Sequence, residues 1–212
     1  MYVIQTPAML EMLKHRERYP LEYQRYEWYG DAVARLAAVE HFQNTFPKMP
    51  REVHAQCVSL ITTNQNMASA TRVLTFQQVP GFENTIVKGV NQKILADKFE
   101  VYLALVSEES GERVYARKIV EDYLVQLKRD LLTPDVVKLQ MLEIPVMAIE
   151  KGLYLPSIQW TQVPDSLGQI SCRLMAMLPH HFHHSEIIRA SGRTYVDALT
   201  ALKSKLRLPL KY

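Results

Sequence analysis

Two short stretches decide how this chain folds: Tyr26-Glu27-Trp28-Tyr29-Gly30-Asp31-Ala32-Val33 and Leu95-Ala96-Asp97-Lys98-Phe99-Glu100. Each places two acids among apolar residues at helical spacing. Glu27 and Asp31 are four apart, about 40° around a helix, and Asp97 and Glu100 are three apart, about 60°. Carboxylates flanked by core residues are costly to bury unless a cation accompanies them. Four carboxylates converging from two packed helices would suit Mg²⁺, a hard ion that takes oxygen ligands. Gly30 would let a neighbouring helix or a substrate come close. The alternative is four acids on solvated helix edges, paired with Arg25, Arg35 or Lys98.

Outward from these stretches, the pattern stays helical to about residue 130. Pro7 to His15 predicts a short amphipathic segment, and Tyr23 to Phe46 a long helix, with apolar residues at three- and four-residue spacing. Pro47 and Pro50 stop it. Further helices are predicted over Val53 to Thr63, Asn66 to Leu74, Asn91 to Val106 and Glu112 to Leu131, with a loop at Pro80-Gly81-Phe82-Glu83-Asn84. Thr133-Pro134-Asp135 marks a change of character. Asp135 to Glu150 predicts a helix interrupted by Pro145. Strands follow over Leu153 to Val163, Gln169 to Met177 and Ser185 to Ala190, then a helix from Thr194 to Leu206. The expectation is a mainly α chain: a helical domain over 1–132 and a small α+β module, α-β-β-β-α, over 133–212.

With 212 residues, 48% hydrophobic and 22% charged, the chain can bury a core and is not a disordered tail. No apolar run approaches the length of a membrane span. The first seven residues have neither the order of a secretory signal nor the composition of a transit peptide. Cys57 and Cys172 stand far apart, which argues against a disulfide framework or structural zinc and for a reducing, intracellular compartment. Net charge is only +3. Residues 1–130 carry equal numbers of acids and bases, so the whole excess falls on residues 131–212. His180-His181-Phe182-His183-His184 reads as an exposed inter-strand loop, since no acid or cysteine completes a zinc set.

The two acidic stretches resemble the ribonuclease III family. The first is similar to its signature Leu-Glu-Phe-Leu-Gly-Asp-Ala-Val, and the second to its Leu-Ala-Asp-x-Phe-Glu motif. Between them, Ile61-Thr62-Thr63-Asn64-Gln65-Asn66-Met67-Ala68 resembles the family's Leu-Val-Ser-Asn-x-x-Leu-Ala helix junction. The resemblance implies an all-helical, dimeric domain that cleaves double-stranded RNA with Mg²⁺ (or Mn²⁺). Glu27, Asp31, Asp97 and Glu100 match its four metal-binding, catalytic acids. Trp28 matches an aromatic at the dimer interface; as a bare residue it could equally be a core tryptophan.

In this family a double-stranded-RNA-binding domain usually follows, and residues 135–207 share its element order. The family's Lys-Lys-x-Ala-Lys stands here as Tyr195, Val196, Asp197, Ala198 and Leu199, and the loop Pro164 to Gly168 lacks its Gly-Pro-x-His. An RNA site in this module would rest on Arg189, Arg193 and the basic end, Lys203, Lys205 and Arg207. The expected function is a Mg²⁺-dependent endoribonuclease acting on structured or double-stranded RNA, as a homodimer or with a related chain. The alternative is a non-catalytic component of a large RNA assembly, such as a mitochondrial large ribosomal subunit or an RNA-editing complex. Matrix and cytoplasm both fit.

Overall fold

The computed structural model describes residues 2–83, 85, 90–161, 165–166, 168–178 and 183–209. It divides into two compact units, Met1–Lys128 and Arg129–Tyr212. Among the described residues no helix is long and apolar enough to cross a membrane.

The first unit contains α1 (Pro7–Lys14), α2 (Pro20–Thr45), α3 (Arg51–Ile61), α4 (Asn64–Phe76), α5 (Gln92–Ser110) and α6 (Arg113–Val120). Pro7 and Pro20 open α1 and α2, where a missing N–H costs no helical bond. Thr63 caps α4 by accepting from the Asn66 amide, and Asn91 caps α5 by accepting from the Lys93 amide.

The centre of the unit is α5, buried without a break from Leu95 to Ser107. A helix buried on every side must be wrapped by others, and α2, α4 and α6 do this. Its burial explains why acids on α5 are shielded from water. The helix runs past its expected end at Val106 to Ser110, whose hydroxyl donates back to the Val106 carbonyl. Gly111, in the left-handed region at φ 64°, ends it. Glu109, in this added turn, accepts from the amides of Gln5 and Thr6 and so ties down the N-terminal segment. Partial burial pushes this carboxyl up, but those bonds and the Tyr2 hydroxyl outweigh it and hold it down at about 2.

The second unit runs α7 (Pro134–Lys138), a π-helical turn (Leu139–Glu143), α8 (Ile144–Glu150), β1 (Tyr154–Trp160), β2 (Ile170–Met177), β3 (His184–Gly192) and α9 (Tyr195–Arg207). Pro145 does not break the segment. The helix widens to a π turn just ahead of the ring and continues, because the extra residue absorbs the lost donor. The strands form one antiparallel sheet in the order β1-β2-β3. Cys172, Leu174, Ala176 and Ala190 form its buried face, and α9 brings Ala198, Leu199, Leu202 and Leu206 against it. Mainly helical architecture followed by a small α+β module is what the sequence patterns predict. Of the histidine-rich run, residues 180–182 lie outside the described residues, as do 162–164 and 167 in the preceding loop.

Candidate metal centre

Glu27 and Asp31 stand on α2; Asp97 and Glu100 stand on α5. Gly30 sets the distance between the two helices. A β-carbon there would overlap the Glu100 carbonyl, so only glycine lets α2 lie directly against α5 at this point. The contact lines the signature acids up with those of the second stretch.

Three of the four acids converge. Glu27, Asp97 and Glu100 each offer a carboxylate oxygen, and these oxygens lie within 4.8 Å of one another. Asp31 borders the same cleft, but its carboxylate accepts both of its bonds from Arg35 Nε, at 2.9 and 3.0 Å. The pairing of Asp31 with Arg35 is the one the solvated-edge alternative anticipates. Lys98 does not take part. It is buried over the Phe82 ring and donates to Thr85 Oγ1 at 2.9 Å, and burial pushes its ammonium down to about 8.

Two cations that sequence reading did not single out complete the cluster. Lys93 Nζ donates to Asp97 at 2.8 Å and to Glu27 at 3.0 Å, and Arg16 Nη1 donates to Asp97 at 3.1 Å. The bonds to Asp97 and Glu27 raise the Lys93 ammonium to about 12. Lys93 was detectable in principle, four residues ahead of Asp97 on one helix face. Arg16 was not. It arrives from the 3₁₀ turn Arg16–Arg18 between α1 and α2, 81 residues away in sequence from Asp97.

Glu100 has only 8% of its surface exposed. Burial, then the charges of Asp31, Asp97 and Glu27, push its carboxyl up to about 8. Burial is the larger cause and the neighbouring carboxylates the lesser one, and a divalent cation would offset the charge of those carboxylates. Hard oxygen donors at this spacing fit Mg²⁺ or Mn²⁺, with water filling the remaining positions. The residues that would hold such an ion are Glu27, Asp97 and Glu100, with Asp31 reaching it only by releasing Arg35.

Trp28, beside the cluster on α2, is 79% exposed. The core-tryptophan alternative is therefore excluded, because the side chain follows the outward face of α2. Leu21, one heptad earlier, shares this exposure.

Of the basic candidates in the second unit, Arg189 is held by Glu186 in one bidentate pair, Nε to Oε1 at 3.0 Å and Nη2 to Oε2 at 2.8 Å. Lys203 is half-buried and paired with Glu143 at 2.6 Å, and Lys205 donates to the Arg189 carbonyl at 2.7 Å. Arg193 and Arg207 are exposed. The five do not form one cluster of unpaired cations.

No family model matches the chain. It is 28% identical over 104 residues to Ribonuclease 3 of Mycoplasmoides gallisepticum, in two strains; the match spans 49% of this chain and 16% of the relatives' length. The chain is related to ribonuclease III. Among solved structures, Dicer from Pichia stipitis is similar over 100% of this chain and 98% of its own, with a TM-score of 0.50 and 16% identity. That likeness concerns the fold alone. The nuclease domain of ribonuclease III from Campylobacter jejuni matches over 59% of this chain and 90% of its own, at a TM-score of 0.48 and 18% identity.

Proposed function

We propose that this relative of ribonuclease III is a divalent-metal-dependent endoribonuclease that cuts double-stranded or structured RNA in RNA processing. The observation that carries the reading is the convergence of Glu27, Asp97 and Glu100 in a cleft beside the exposed Trp28. A bound Mg²⁺ would supply an activated water for attack on the phosphodiester and would steady the leaving oxygen. The chain's own part is to hold the ligands. Burial on α5 fixes Asp97 and Glu100, and Gly30 fixes α2 against them. Lys93 and Arg16 neutralise Asp97 until substrate or metal arrives. Two such clusters, one from each member of a homodimer or heterodimer joined near Trp28, would address the two strands of a duplex.

The test is cleavage of a long RNA duplex with Mg²⁺ and with Mn²⁺. Wild-type protein is expected to cut, while Asp97→Asn falls below detection. Absence of cleavage by the wild type, alone or with a related partner chain, rejects the enzyme reading.

One observation favours a second reading, a non-catalytic role in a large RNA assembly. Asp97 is 3% exposed and already paired with two cations from the chain itself, which is also what a structural ion network requires. Direct Mn²⁺ titration separates the two. A metal site binds Mn²⁺ and loses it in Glu27→Gln; a structural network binds none.

A further inference from the structure

We infer that the outer face of the three-stranded sheet in the second unit carries an RNA-phosphate site centred on Arg173 and Arg189. The inference rests on the RNA-directed reading of the chain but not on the metal cluster.

Sheet register builds the site. Gln159, Arg173 and Arg189 stand opposite one another across β1, β2 and β3. Their neighbours in sequence, Cys172, Leu174 and Ala190, belong to the buried face, so this row points outward. Two arginines directly opposite each other repel and are a liability in an ordinary sheet. Here one acid draws them together. Glu186 Oε2 lies 2.8 Å from Arg189 Nη2 and 3.5 Å from Arg173 Nη1.

That arrangement depends on an irregularity in β3. Three residues apart, Glu186 and Arg189 would point to opposite faces of a regular strand. The register instead shifts between Leu174 and Met175, which face Ile188 and Glu186, so Ile187 is the extra residue of a bulge. A bulge re-aims the side chains beside it, and this one brings Glu186 onto the face of the arginines.

The acid does not exhaust the donors. With two guanidinium groups and one carboxylate, the row keeps a net positive charge. Arg173 Nε is itself buried and would face no phosphate, but the Arg173 and Arg189 side chains are 39% and 58% exposed. A guanidinium fork matches the oxygens of a phosphate. Beside the arginines lies a row of hydroxyls: Ser171 and Ser191 oxygens 2.7 Å apart, with Thr161 Oγ1 donating to the Ser171 carbonyl. Arginine with serine and threonine is the usual equipment for holding a sugar-phosphate backbone.

The alternative phosphate position, the N-terminus of α9, is closed. Thr194 and Asp197 cap it reciprocally, each side chain accepting from the other's amide. Asp197 thus sets a negative charge where a phosphate would sit. Tyr195 there packs edge-on against Trp160, 4.8 Å between ring centres. Phosphate recognition is thereby shifted from the helix start to the sheet.

The experiment is binding of a fluorescein-labelled RNA duplex of about 24 base pairs to the full chain in EDTA, which prevents cleavage, over a salt series. Arg173→Gln with Arg189→Gln is expected to weaken binding about tenfold or more and to lower the salt slope by about two. Glu186→Gln is expected to tighten binding about threefold by removing the competing carboxylate, a gain that a misfolded sheet cannot produce. If the wild type binds and the double variant binds equally well, the inference is overturned while the RNA reading stands. If the wild type binds no RNA, both fall. A polyglutamate peptide that binds through the same arginines while the duplex ignores them overturns the inference in favour of an acidic protein partner.

Discussion

Gly30 is the residue on which the candidate metal centre depends, because its lack of a side chain lets α2 touch the α5 backbone. Gly30→Ala forces the helices apart in a fully packed region and is expected to cost about 1–3 kcal/mol in urea unfolding. It should also abolish Mn²⁺ binding, since Glu27 moves away from Asp97 and Glu100.

Glu100 gives a pH dependence with a definite sign. Its carboxyl is raised from 4.5 to about 8 in the folded chain. Between those values the folded state holds a proton that the unfolded state releases, so the metal-free protein loses stability as pH rises through this window. A metal must displace that proton. Mn²⁺ affinity is therefore expected to rise about tenfold per pH unit below 8, with proton uptake by buffer measurable in calorimetry. In Glu100→Gln the proton release disappears.

At the scale of elements, α5 and α9 show how far local pattern reaches. The helical stretch around Asp97 was legible because its apolar residues recur at helical spacing around the two acids. Its extension to Ser110 was less so, since Ser107-Glu108-Glu109-Ser110 is polar and reads as a loop. A distant contact holds that turn: Glu109 accepts from the N-terminal backbone. The start of α9 is held by local bonds alone. Thr194→Ala removes the cap on the Asp197 amide and is expected to cost about 1 kcal/mol in thermal unfolding. Pro145 is the converse case. Sequence rules treat it as an interruption, and the π turn before it absorbs the disruption.

At the scale of the whole molecule, the exposed Trp28 bears on assembly. A side chain 79% exposed contributes little to folding of one chain, so Trp28→Ala should change unfolding free energy by less than about 0.5 kcal/mol. If Trp28 anchors a dimer, the same variant weakens association by about 2 kcal/mol or more, read by sedimentation equilibrium. A monomeric wild type at high concentration, unaffected by the substitution, rejects a homodimer through this face. The weak net charge of +3 also acquires a location. Lys203 is paired with Glu143 and Lys205 donates to the Arg189 carbonyl, while Arg193 and Arg207 stand exposed.

The sequence by itself determined the helices, the strands, the pairing of acids on two of those helices and the closeness that Gly30 permits. Each of these follows from periodicity or from the stereochemistry of a single residue. It could not determine which acids meet. Glu27, Asp97 and Glu100 converge while Asp31 turns to Arg35, because rotamers and ion partners are chosen in the packed cleft. Nor could it reveal Arg16, brought to Asp97 from another turn, or the bulge that sets Glu186 between Arg173 and Arg189. Spacing along the chain fixes which face a residue takes, but only tertiary packing decides what lies opposite it, and charge depends on what lies opposite.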